Sequence, residues 1–191
     1  MPKLAESVEY INAKLRASQF GSKRFQKGRW SGIAELIRTP EGEMMPCSVD
    51  NDGDATQLGI DDTYPFEVYH RMIGANFENS EDDFGANKGR KEFSDMVIVI
   101  MGDRDRLEFT NEQIISGLSL GFPFNMEKTD VEALSLQSVD FSIQGFERDR
   151  EAVWNREFET ERVQLKPNTL LVSLRYQVMA EVFDGCIEIC Q

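Results

Sequence analysis

The sequence predicts an α+β fold dominated by antiparallel sheet, with an N-terminal helix and one central capped helix. Three observations carry this. Leu4, Val8, Ile11 and Leu15 recur at steps of four, three and four, which is one face of an amphipathic helix over roughly residues 3–17. Thr110 and Gln113 stand in capping-box spacing ahead of Ile114, Ile115 and Leu118. Leu170, Val172, Leu174, Tyr176, Val178, Ala180 and Val182 hold period two, the strongest strand signal in the chain.

The elements follow in order. Gly21 and Gly28 bound a segment, FGSKRFQKGRW, too rich in glycine and lysine for a core, so residues 18–31 read as a basic arm or loop. Ile33 to Arg38 and Met44 to Val49 are short strand candidates, with turn chemistry at Pro40-Glu41-Gly42 between them. Asp50 to Asp62 reads as an acidic loop. From Pro65 to Ile73 the pattern alternates: Phe66, Val68 and Met72 on one side, Glu67 and Arg71 on the other, as in a half-buried strand. Residues 74–91 read as a long polar loop.

Met96 to Met101, MVIVIM, is the longest purely apolar run and predicts a strand buried on both faces. In the helix after it, Phe109 and Ile114 fit a hydrophobic staple, and Gly121 with Pro123 supplies the stop. The expected core is one sheet carrying Val97, Ile98, Val99, Ile100, Val172, Leu174, Tyr176 and Val178 against Ile114, Ile115 and Leu118. Val139, Phe141 and Ile143 alternate as a further strand. Glu157, Glu159 and Glu161 fall at every second position. Like charges so spaced cannot share a core, so residues 145–168 are expected to form an exposed hairpin ending near Pro167-Asn168. The whole, residues 1–191, reads as a single domain.

Composition narrows the function. The chain has 191 residues, 40% apolar and 29% charged, which is globular rather than disordered. Its six-residue apolar maximum is far short of the roughly 20 that a membrane span needs, so no membrane partner is expected. The N-terminus has no apolar stretch of signal-peptide type and reads as mature protein. Cys47, Cys186 and Cys190, an odd number, suggest reduced thiols in a cytoplasmic setting.

Net charge is −13. Residues 1–38 hold eight bases against three acids, a net of +5, so the rest of the chain carries −18. An acidic body disfavours general nucleic-acid binding. A basic arm beside it is a pattern that copies of one chain could use to dock on each other. The candidate interface residues are Phe20, Lys23, Arg24, Phe25, Lys27, Arg29 and Trp30 on the arm, with Glu157, Glu159 and Glu161 as the acidic face that could meet a basic partner.

Catalytic motifs are weak. His70, the single histidine, removes multi-histidine metal sites. Gly117 to Gly121 matches G-x-S-x-G around Ser119, but it runs into Pro123 and the histidine precedes it, so a helix end closed by glycine fits better. Ser48 to Gly53 opens like a calcium loop, yet Gly59 occupies the position that needs a bidentate glutamate. Cys186 and Cys190 could reach a zinc site only with Cys47 and His70. No phosphate-binding glycine loop occurs. No catalytic residue, cofactor or metal is therefore assigned. The alternatives are a small cytoplasmic carboxylate-based enzyme working from the Asp50 to Asp62 loop, and an acidic binding module for a basic protein.

With these elements laid out, the chain resembles the tail-terminator and head-to-tail connector proteins of tailed bacteriophages. The resemblance rests on the N-terminal helix with Leu4, Val8, Ile11 and Leu15, on antiparallel strands before and after one capped helix, Thr110 to Leu120, and on the long final strand LLVSLRYQVMAEVF. It implies a tail-terminator-like fold and a non-catalytic structural protein in the virion tail or neck, made in the host cytoplasm. Such a protein closes into a homo-oligomeric ring against neighbouring portal, connector or tail proteins. DNA would pass through the lumen without sequence-specific binding, and an acidic lumen would avoid holding it back.

Overall fold

The computed structural model describes residues 2–18, 28–38, 40, 42–49, 55–59, 63–81, 88–107, 109–134, 136–158 and 167–183. Among them the order is α1 (Pro2–Ala17), β1 (Arg29–Arg38), β2 (Met44–Val49), β3 (Ala55–Gln57), β4 (Phe66–Glu81), β5 (Lys88–Asp103), α2 (Asn111–Gly121), α3 (Lys128–Ala133), β6 (Ser138–Glu147), α4 (Arg150–Glu157) and β7 (Thr169–Phe183). The class is α+β. The sheet has seven strands in the order β3-β2-β1-β4-β5-β7-β6. It is mixed rather than purely antiparallel, because β1 runs parallel to β4 from Arg29↔Glu67 to Ile33↔His70.

The middle of the sheet is built by β5. It pairs antiparallel with β4 from Phe66↔Gly102 to Glu81↔Lys88, and with β7 from Gly89↔Phe183 to Asp103↔Thr169. Strand residues alternate between faces. Ile98, Ile100, Val172, Leu174 and Tyr176 therefore join Phe66 and Val68 on one face, beneath Val8 and Ile11 of α1 and Ile114 and Leu118 of α2. Val97 and Val99 point the other way, to a second core with Tyr69, Met101, Leu171, Met45, Cys47 and the α4 residue Val153. The single core expected from the sequence is thus two, one on each face. An apolar run buried on both sides has to feed both.

The capping box is formed as its spacing predicts. Thr110 Oγ1 accepts from the Gln113 backbone N–H, and Gln113 Oε1 accepts from the Thr110 N–H. The glycine of the β1–β2 turn, Gly42, lies at φ +90°, a region costly for any residue with a Cβ.

Two expectations are corrected. Residues 74–81 and 88–91 are strand rather than loop: β4 continues to Glu81 and β5 starts at Lys88. Gly74, Asn76 and Asn79 are poor strand formers, but pairing along β5 overrides local propensity. Phe77 is covered by the Arg90 guanidinium, 3.9 Å from the ring centroid. Residues 145–158 are not part of an exposed hairpin either, and 159–166 of that expected hairpin lie outside the described residues. β6 ends at Glu147, and helix α4 follows with Asp149 as N-cap, accepting from the Glu151 and Ala152 N–H groups. Of the glutamates read at period two, Glu157 is the last residue of this helix. Val153 and Glu157, four apart, share the buried face, and Trp154 stacks on Phe158 with centroids 4.2 Å apart.

β4 also departs from the half-buried pattern. Glu67, expected toward solvent, is 1% exposed, and Met72, expected inside, is 39% exposed. The register shifts between Met72 and Gly74, and this bulge carries the strand out of the core.

Ile98 sits at the centre of the larger core and is fully buried. Ile98→Ala should cost about 2–5 kcal/mol in urea unfolding. A loss under about 0.5 kcal/mol, the range of a surface substitution, would show the core to be elsewhere.

Candidate assembly surface

Three polar side chains of the interior, His70, Glu67 and Glu157, are each held by more than one partner, whereas Ser173 Oγ and Arg156 Nη2 are buried with no hydrogen-bond partner among the described residues. His70 on β4 lies fully buried between α1 and β7: its Nε2 is 2.9 Å from Asn12 Oδ1 and its Nδ1 is 2.7 Å from Tyr176 Oη. Asn12 Nδ2 donates to the Ser31 carbonyl at 3.2 Å, which fixes the amide and leaves Oδ1 as acceptor. His70 Nε2 therefore carries the proton, and Nδ1 accepts from the Tyr176 hydroxyl. Burial lowers the histidine pKa from 6.5 to about 3 and raises that of Tyr176 well above its ordinary value. With both ring nitrogens engaged, this histidine pins α1 to the sheet. Ser119 is bonded elsewhere, its hydroxyl donating to the Ile115 carbonyl at 2.8 Å in the last turns of α2.

On the opposite face, two carboxylates are held by arginines. Glu67 accepts from Arg29 Nε at 2.7 Å and Nη2 at 2.6 Å, from Ser31 Oγ at 3.0 Å and from the Gly59 N–H at 2.7 Å. Glu157, fully buried, accepts from Arg71 Nε at 3.0 Å and Nη2 at 3.1 Å, and from Arg156 Nε at 2.7 Å. Tyr69 Oη lies 3.4 Å from the same carboxylate, and burial together with that charge pushes its pKa well up. This cluster fastens α4 to the sheet.

The candidate interface residues therefore separate. Arg29 is committed to Glu67 within the chain. Trp30 is half-buried, packing edge-on against Phe66 with Arg16 5.6 Å from its ring centroid. Glu157 is a core residue, not part of a solvated acidic face. Phe20, Lys23, Arg24, Phe25, Lys27, Glu159 and Glu161 lie outside the described residues, as do Asp50 to Asp54, Cys186 and Cys190. Among the described residues, no three metal-ligating side chains converge.

Apolar exposure is concentrated in two places the sequence reading passed over. Met72, Ile73 and Phe77, at 39%, 47% and 51% exposed, line the outward part of β4. Leu120 and Phe124, at 86% and 74%, project where α2 ends. Beyond His70, the outer edge of β4 has no strand partner among the described residues. The signal was present in the sequence: Met72 to Phe77 and Ser119 to Met126 carry no charge in a chain that is 29% charged.

Compared with known proteins, the sequence matches no protein-family model and finds no match among curated proteins. No described helix is long and apolar enough to cross a membrane.

Two measurements check this geometry. A histidine held neutral stays so until the folded pKa is reached, so the single imidazole should show no titration in NMR spectra between pH 8 and 5. The unfolded chain binds a proton below about pH 6.5, while the folded chain does so only near 3. The neutral ring thus contributes stability above pH 6.5 that is lost as pH falls toward 3. A folded-state midpoint near 6.5 would place His70 in solvent. Separately, Glu157→Gln removes the counter-charge of two arginines that are only 14% and 21% exposed, and should cost about 3–5 kcal/mol. A change within about 0.5 kcal/mol would restore the exposed-hairpin reading.

Proposed function

We propose that this protein is a non-catalytic structural subunit that closes into a ring with copies of itself, of the tail-terminator or connector type found in tailed phages. The observation that carries the reading is the β4 edge, which beyond His70 has no strand partner among the described residues. Strand edges expose unpaired N–H and C=O groups that invite further strands, and proteins normally cover, shorten or charge them. Here the edge is long, and its exposed stretch from Met72 to Phe77 is uncharged and holds three large apolar side chains. Such a surface suits a permanent partner. The interior polar clusters support the same reading, since His70, Glu67 and Glu157 each serve to hold elements together.

The ring would sit in the virion tail or neck against portal, connector or tail proteins, with an acidic wall past which DNA slides. Charge would set the orientation of neighbours, with Lys23, Arg24 and Lys27 of one copy facing the acidic body of the next. Individual exposed pairs contribute about 0–1 kcal/mol, so apolar contacts supply the affinity. Arg29 is left out of the test because removing it would leave Glu67 buried without its partner.

The test compares wild type with a variant in which Lys23, Arg24 and Lys27 are all changed to Glu, by sedimentation velocity at low salt and by electron microscopy. Wild type should form rings far above the 21.8 kDa of one chain, and the variant should be folded but no longer associate. A wild-type protein that stays monomeric even with the adjacent virion proteins present would overturn the proposal.

A further inference from the structure

Resting on the ring reading, we propose that the β4 edge receives a specific part of the next copy: the apolar knob of Leu120 and Phe124. The two patches are unlike, and they lie on opposite sides of one sheet. The knob is held on the outer edge of β6. Phe124 accepts at its carbonyl from the Phe141 N–H at 2.8 Å, Met126 N–H donates to the Val139 carbonyl at 2.9 Å, and Asn125 bridges to Asp140. Pro123 stiffens the same segment, so little chain entropy remains to be lost on docking.

The sheet register sets the height of each patch. Phe77 pairs across to Glu92, Glu92 to Ala180 and Ala180 to Val139. Ala75 leads in the same way through Ser94 and Val178 to Phe141. Phe77 and the knob therefore stand level at the two sides of the four strands β4-β5-β7-β6, roughly 19 Å apart at four strand spacings, since the knob segment lies outside β6. A neighbour placed alongside, without inversion, brings its knob to the β4 edge at the same height.

Two unlike patches on opposite sides generate a head-to-tail contact, which propagates and closes into a ring when the rotation allows. A two-fold contact of β4 on β4 would instead use one patch twice and leave Leu120 and Phe124 bare. Composition agrees with the head-to-tail pairing. Neither Met72 to Phe77 nor Ser119 to Met126 carries an ionisable side chain of its own, and the Arg90 guanidinium stacked on Phe77 is a cation of the kind that interface centres accept. Aromatic and methionine side chains without charge are what interface centres favour.

The experiment uses Phe77→Asp and Phe124→Asp in the full chain. Both positions are exposed, so both variants should keep the wild-type thermal melt, and Phe77→Leu and Phe124→Leu should still assemble. Each Asp variant alone should sediment as a single chain. Mixed in equal amounts, they should form a two-chain complex and stop there: the intact knob of the Phe77→Asp chain seats on the intact edge of the Phe124→Asp chain, and the other contact is blocked. Rings from Phe124→Asp alone would overturn this pairing while leaving the ring reading intact. So would a mixture that stays monomeric although both chains are folded. A monomeric wild type would overturn both.

Discussion

Strand β5 is hydrogen-bonded along its length to β4 on one side and to β7 on the other, and the remaining elements are positioned by that ladder. Its inner half, Met96 to Met101, is buried on both faces. The strand can be so apolar only because helices α1 and α2 cover one face while α4 and the β2 region cover the other. At about 25 cal/mol per Å2 of apolar surface removed from water, such two-sided burial is the dominant favourable contribution. Chain order adds to it: β4 precedes β5 directly, whereas β7 must return from far along the sequence to close the other side.

Three polar groups buried by this arrangement, His70, Glu67 and Glu157, are bound locally and serve as fasteners. His70 ties α1 to β7 through Asn12 and Tyr176, Glu67 ties β1 and Gly59 to β4, and Glu157 ties α4 to β4. Buried charges without partners are costly, so each carboxylate is matched by at least one arginine fork. The single histidine is occupied with packing. Among the described residues, the most exposed large apolar side chains are those of outer β4 and of the Leu120–Phe124 knob.

Much of the fold was legible in the sequence, and the reasons are local. The α1 stripe, the Thr110 capping box, the two-sided MVIVIM strand and the period-two pattern of β7 are short-range signals that depend on few neighbours. The misreadings also have local causes. Glu157, Glu159 and Glu161 suggest an alternating strand only if Asp149 is not recognised as an N-cap and Val153 with Glu157 as one helical face. Gly74 to Lys91 suggests a loop because glycine and asparagine disfavour strands in isolation. Of the candidate site, Arg29 and Trp30 were found as residues but not in their role, and the knob was masked by a G-x-S-x-G match.

By itself the sequence determined the α+β class, the periodicity of the main elements and the acidic balance of the chain, since these follow from residue spacing and composition. Only the tertiary structure decided that β1 runs parallel to β4, that the core is divided between two faces, that Glu67 and Glu157 are buried with arginines, and that Phe77 and Phe124 stand level on opposite sides. Each of these depends on which distant segments meet, and pairing between distant strands is set by the summed burial of the whole sheet rather than by any local run of residues.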